Sequence, residues 1–509
     1  HIQRGTNWVV AYEPDGLGRT VSVTTPAGDR HTFDRDDRGR VTSVTLPAVQ
    51  GISHDTTFEY DPNGYLTGIV RPDATRMDLL RDDAGRLLVI GLDEGDYRYA
   101  RDLESGRLAE AIAPTDEAIT FSWDGWRGVG LTWTDPTGAL LGSLVLDHDD
   151  RGYIDYQRLG AGPALTFPRD ADGLLTAAGA ATITRDPESG LAVGVDLDAV
   201  SETTTWTPEG TPDGLSISGP TGSLFDASYD YDAQGRLAEA TETVDGSTTH
   251  HRYRYDELGR LASVETDGVR TSLSYDVQGH AASATVDARD RVTELDGVRF
   301  TYTPNGDRAT RTEGAAVTTT IYGARGQLRE VGLPSGQRLE YDVDPMGRRS
   351  ARYLDGVLTE RYLWLGDQLL AVLEPSGALR DRFVYGDDPV PLYFERGGVR
   401  YRLVTDIRGS VRLVVDASTG EVAQAIAYDA WGTVVSDTNP SFQPLGYVGG
   451  LYEPLTGLVR FGARDYDPAL GEWTSPDPVG FALGGANLYE YALGDPINLI
   501  DPTGLAVRP

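Results

Sequence analysis

One motif recurs along most of this chain, and recurrence at a fixed spacing restricts the possible folds more than any other sequence property. It is plain at Phe58-Glu59-Tyr60-Asp61-Pro62-Asn63-Gly64-Tyr65-Leu66. It returns at Tyr231-Asp232-Ala233-Gln234-Gly235-Arg236-Leu237 and at Tyr255-Asp256-Glu257-Leu258-Gly259-Arg260-Leu261, then at 275–279 and 341–348. Weaker copies lie at 36–41, 82–87, 102–108, 149–153, 170–174, 302–307 and 322–328. Gly64, Gly85 and Gly106, then Gly152 and Gly173, then Gly326 and Gly347 mark a period of about 20 residues. That is too short for a pair of helices and suits a β-hairpin with its return strand.

The residues before each turn alternate in character. Phe58 and Tyr60 stand opposite Thr57 and Glu59, Tyr253 and Tyr255 opposite Arg252 and Arg254, and Phe300 and Tyr302 opposite Arg299 and Thr301. Period two with an aromatic end is a half-buried strand. In the turn, Asp can hydrogen-bond the backbone and Gly can take the positive φ that closes it. Arg-Leu then restarts the next strand. A lone hairpin cannot bury its apolar face, so neighbouring units must pair edge to edge. Helical periodicity is nowhere sustained, and the expected fold class is all-β, a long strip of hairpins.

Tyr-Asp-x-x-Gly-Arg-Leu at this spacing resembles the YD (or RHS) repeat of bacterial Rhs proteins, wall-associated proteins, insecticidal toxin-complex C components and animal teneurins. The resemblance implies a strip that spirals into a hollow shell, with a C-terminal Rhs core inside it or at its end. It also implies a secreted or cell-surface location. The expected division is a YD-repeat shell over 1–359, irregular repeats over 360–440, an Rhs core over 441–505, and a stub of a variable region over 506–509. The approach to the core departs from the family at Val404, where a histidine is common.

The stretch from Gly457 to Leu505 stops repeating. Arg464-Asp465-Tyr466-Asp467-Pro468, Gly471-Glu472-Trp473-Thr474-Ser475-Pro476-Asp477-Pro478, Asn487-Leu488-Tyr489-Glu490-Tyr491 and 496–505 match the Rhs core in order. The terminal pattern Pro-x-x-x-x-Asp-Pro-x-Gly-Leu is met by Pro496, Asp501, Pro502, Gly504 and Leu505. The resemblance implies an intramolecular aspartyl protease that cuts between Leu505 and Ala506. It carries Asp477 and Asp501 over as the catalytic pair, with Arg464 as an assisting cation. The chemistry is coherent, since two adjacent carboxylates cannot both ionise cheaply and can share acid and base roles. Read from the residues alone, Asp before Pro is ordinary turn chemistry, shared by Asp467, Asp477, Asp495 and Asp501.

Composition narrows the partners. With 45 Lys and Arg against 78 Asp and Glu, a net charge of −33 disfavours nucleic acid and anionic membranes while leaving room for a basic passenger. The absence of cysteine removes disulfides and thiolate sites. The start, His1-Ile2-Gln3-Arg4-Gly5, lacks a signal-peptide pattern, and no run of about 18 apolar residues offers a membrane span. His250 and His251 alternate across a strand and cannot chelate together. The acidic turn 147–150 lacks the glycine and terminal glutamate of an EF-hand loop. No cofactor or metal is expected. The expected partner is the chain's own C-terminal polypeptide, with a delivery apparatus or cell-surface ligand beyond it. Two other readings stand beside this one: a teneurin-like adhesion protein without enzymatic activity, and a glycosidase using paired carboxylates in an open groove.

Overall fold

The computed structural model describes residues 2–4, 8–52, 54–483 and 487–508. His1, Gly5 and Pro509 of the termini discussed above lie outside these. Among the described residues there are strands and three short 3-10 segments but no α-helix. Among these residues no helix is long and apolar enough to cross a membrane.

Within each sheet, consecutive strands pair antiparallel. Sixteen strands run from Ile2–Arg4 to Leu165–Thr166, ten from Ala177–Ala178 to Val269–Ser272, and sixteen from Thr285–Val286 to Val434–Asp437. Single bridges, Arg169 with Leu175 and Tyr275 with Ala281, carry the meander across the two breaks. The third sheet passes residue 360 without interruption, although the turn sequences there change.

The repeat consensus is explained by what each residue touches. Asp256 accepts from the Leu258 and Arg260 amides through one carboxylate oxygen and holds the Arg260 guanidinium with the other. Gly259 closes the turn at φ 86°, and a bulge falls at Tyr255 just before it. The arginine then reaches forward: Arg236 lies 4.3 Å over the Tyr255 ring and Arg260 4.5 Å over Tyr275. Tyrosine reaches back, Tyr255 donating to the Leu237 carbonyl and Tyr275 to that of Leu261, each at 2.6 Å. Each unit is thus bolted to the next by its own consensus residues. Glycine has a second duty as well. The side chain four places after the Asp lies on the next turn's glycine, Tyr65 on Gly85 and Arg86 on Gly106, leaving no room for a Cβ.

Distant parts of the strip also lie side by side. Arg71 donates to the Ala324 carbonyl at 2.6 Å, Tyr99 to that of Pro345 at 3.0 Å, and the Tyr393 hydroxyl accepts from the Ala180 amide at 2.9 Å. Arg412 pairs with Glu242 at 2.5 Å. The contacts advance in parallel, so the third sheet runs alongside the first two. Between them lie the main apolar clusters, Leu197, Ile217 and Phe225 packing with Val404 and Val415, and Trp133 and Leu144 with Leu363 and Leu370.

A four-stranded unit follows: Leu451–Glu453, Leu458–Phe461, Arg464–Asp467 and Glu472–Trp473. Its core is aromatic, with Tyr466 and Tyr491 stacked at 4.1 Å and Phe461, Trp473 and Tyr447 around them. Ion pairs on buried carboxylates fasten it to the strip: Arg308 with Asp467 at 2.6 Å, Arg349 with Asp465 at 3.1 Å, and Arg352 with Glu453 at 2.7 Å. His280 meets Glu472 at 2.6 Å; burial opposes the imidazole's charge, but the Glu472 carboxylate outweighs it and raises the pKa to about 9.

Candidate active site

Three segments of the terminal unit converge. The strand Arg464–Asp467 supplies Arg464, the turn after Glu472–Trp473 supplies Asp477, and the final loop supplies Asp501. The Arg464 guanidinium lies 4.2 Å over the Trp473 ring, which fixes its plane. One of its nitrogens, Nη2, reaches both carboxylates: Asp477 Oδ2 at 3.1 Å and Asp501 Oδ2 at 3.4 Å. Its Nε donates to the Gly504 carbonyl at 2.5 Å. Arg464 and Asp501 are buried, and Asp477 is more open.

Asp501 is turned toward the Leu505–Ala506 bond. Its Oδ1 accepts from the Ala506 amide at 3.0 Å, the Leu505 amide at 3.1 Å and the Thr503 hydroxyl at 3.1 Å. The nitrogen of the bond named from the sequence therefore sits in hydrogen-bond contact with one of the two named carboxylates. The loop is held against the hairpin at Gly462: Ala463 donates to the Thr503 carbonyl at 2.9 Å. A Cβ on Gly504 would come 2.6 Å from the Phe461 carbonyl oxygen, and both Gly504 and Gly462 have positive φ. Pro496 accepts from the Tyr447 hydroxyl at 3.3 Å, and Pro502 follows Asp501 into the turn.

Electrostatics separates the members. Burial pushes the Asp477 carboxyl up, against the pull of Arg464. Burial also lowers the Arg464 pKa, with the two carboxylates pulling the other way; a guanidinium stays charged throughout. Asp477 and Arg464 line a cavity of about 1160 Å³ whose far wall is apolar, with Tyr12, Phe33, Phe58 and Met77 from the first sheet.

The structure thus brings Asp477, Asp501 and Arg464 together with Leu505 and Ala506. It leaves His250 and His251 apart, each bonded to a different threonine, Thr241 and Thr266. Among the described residues no group of three or more His, Asp or Glu has metal-holding geometry, the 147–150 turn included. Val404 is fully buried in the strand Val399–Thr405. Trp473, Thr503 and Gly462 were not singled out as site residues in the sequence. Only Gly462 carried a local signal, in its place between Phe461 and Ala463 at a hairpin turn.

Comparison with known proteins decides the family. A family model described as Teneurin YD-shell matches residues 1–497. The chain belongs to the YD-shell family. Two similar proteins are Teneurin-1 of Gallus gallus, 27% identical over 94% of this chain and 20% of its own length, and the double-stranded DNA deaminase toxin A of Burkholderia cenocepacia (strain H111), 27% identical over 96% of this chain and 40% of its own. The chain therefore spans between a fifth and two fifths of these relatives. Among solved structures, the TcdB2-TccC3-Cdc42 crystal structure aligns with 98% of this chain and 34% of that one, at a TM-score of 0.53 and 15% identity. This likeness is one of fold.

Proposed function

We propose that this YD-shell protein forms the hollow spiral shell around a polypeptide that continues its own C-terminus, and that it cuts the Leu505–Ala506 bond itself. The supporting observation is the Ala506 amide held 3.0 Å from Asp501 Oδ1, with Arg464 joining that carboxylate to Asp477. The side-by-side run of the third sheet along the first two is what a strip wound upon itself requires. In this reading 1–440 make the wall, 441–505 the core, and the residues after 505 the cargo.

The reaction is hydrolysis. Water attacks the Leu505 carbonyl carbon and gives a proton to Asp501, while Asp477 enters the step as the protonated acid of the pair and donates to the carbonyl oxygen. The carbon–nitrogen bond then breaks. Asp501 passes its proton to the Ala506 nitrogen, and Asp477 recovers the one it gave. Arg464 offsets the repulsion between the two carboxylates and steadies the developing charge. The pair titrates as a unit.

A folded reporter fused after Pro509 tests both halves. The expected result is two polypeptides that purify together, with the reporter resistant to added protease until the shell is denatured. A reporter that stays fused and digests freely contradicts the reading. That outcome with cell-surface binding would favour the adhesion alternative, which the teneurin relatives support.

A further inference from the structure

The two sides of the Leu505–Ala506 bond are held in different ways. Upstream, side chains and shape are specified: Asp501 is 1% exposed, and Gly504 has no room for a Cβ against Phe461 and Arg464. Downstream, Ala506, Val507 and Arg508 expose their side chains. Yet this exposed tail is fastened. The Arg508 amide donates to the Ile500 carbonyl and the Ile500 amide to the Arg508 carbonyl, each at 2.8 Å. The Ala506 amide adds its bond to Asp501 Oδ1 at 3.0 Å. Residues 500–508 are thereby closed into a loop with the Asp501 carboxylate inside it.

We infer that the site reads the residues after the bond through their backbone alone, by a clamp of Asp501 on residue 506 and Ile500 on residue 508. The inference rests on the self-cleavage reading and names its substrate class: any extended polypeptide after Leu505 that offers N–H groups at 506 and 508. Proline is the residue excluded at 508, because it has no N–H. The bridge between Ile500 and Arg508 does not include the bond to be cut, so it also keeps the downstream piece in register while the proton moves onto the Ala506 nitrogen.

The 509-residue chain is sufficient for the test, since cleavage removes residues 506–509 and intact mass reports it. Arg508→Ala and Arg508→Pro both lose the side chain, but only the second loses the N–H. The expected result is cleavage at least about fivefold slower in Arg508→Pro than in Arg508→Ala, the loss of one backbone hydrogen bond. Val507→Glu, at an exposed side chain, should keep the parent rate. Equal rates for the two Arg508 variants, or slowing by Val507→Glu as large as by Arg508→Pro, would overturn the clamp. A parent chain that never cuts counts against the self-cleavage reading instead. The clamp then faces its own measurement, hydrogen exchange in Asp477→Asn: a slowly exchanging Arg508 amide supports it, and exchange at the rate of an unstructured tail overturns it.

Discussion

The strip and the terminal unit use the same residue types in opposite ways. In the strip, the repeated Asp and Arg pair within one turn, as Asp82 with Arg86 and Asp256 with Arg260, on partly exposed surfaces, and only the seams between sheets add long-range pairs such as Arg412 with Glu242. In the terminal unit buried carboxylates reach far along the sequence: Asp465 holds Arg349 as well as the nearby Arg460, Asp467 holds Arg308, and Glu453 holds the partly buried Arg352. Local pairs shape a turn that can be copied many times. Long-range buried pairs fix one piece in one place, because an unpartnered buried charge is costly. The second kind of order is concentrated where the repeats end.

The contrast can be broken at several points. The largest effect is expected at the site: Asp501→Asn or Asp477→Asn should slow cleavage by about 10²–10⁴-fold, the usual worth of a general acid or base, as read by intact mass. Next, Asp465→Asn strands Arg349 and Arg460 and should cost about 3–5 kcal/mol in denaturant unfolding. Asp82→Asn in the strip should leave the midpoint nearly unmoved. Glycine gives the third comparison. Gly504→Ala meets the Phe461 and Arg464 backbone and should cost well above the strain of about 1–2 kcal/mol expected from a positive φ alone. Gly297→Ala, with open space at its Cβ, should show only that strain.

The smallest effect is a pH dependence. Burial raises the Asp290 carboxyl to about 8, and His280 is raised to about 9 by Glu472 against the opposing effect of burial. The His280 contribution is complete below its ordinary value near 6.5 and is lost as pH rises through 9. Asp290 is neutral in the folded chain up to about 8 but ionised in the unfolded chain above its ordinary 3.8, so it too favours unfolding as pH rises. The unfolding midpoint should therefore fall between pH 6 and pH 9.5, and His280→Gln should shrink that fall. A rise over the same range would contradict the assignment.

This division also decides what could be read in the sequence. The hairpins were legible because their causes are local: Tyr60, Asp61, Gly64 and Leu66 contain the strand end, the turn acceptor, the positive φ and the restart. The interlock between units was not legible, since Tyr255 finds the Leu237 carbonyl only after the strands have paired. Nor was the continuity of the third sheet past residue 360, where the turn residues change but the pairing does not. At the site, Asp477, Asp501 and Arg464 could be named from the resemblance to the Rhs core, and the structure gathers them around one guanidinium. The roles of Trp473 beneath that guanidinium and of Ile500 on the tail depend on packing and on backbone bonds, which residue identity does not encode.

The central claim is that Asp477 and Asp501 cut the chain after Leu505. Its most direct test is the intact mass of the 509-residue protein followed over time beside its Asp477→Asn variant. The expected result is loss of residues 506–509 from the parent and an unchanged mass for the variant. A parent that keeps its full mass, or a variant that loses the same four residues at the same rate, would contradict it.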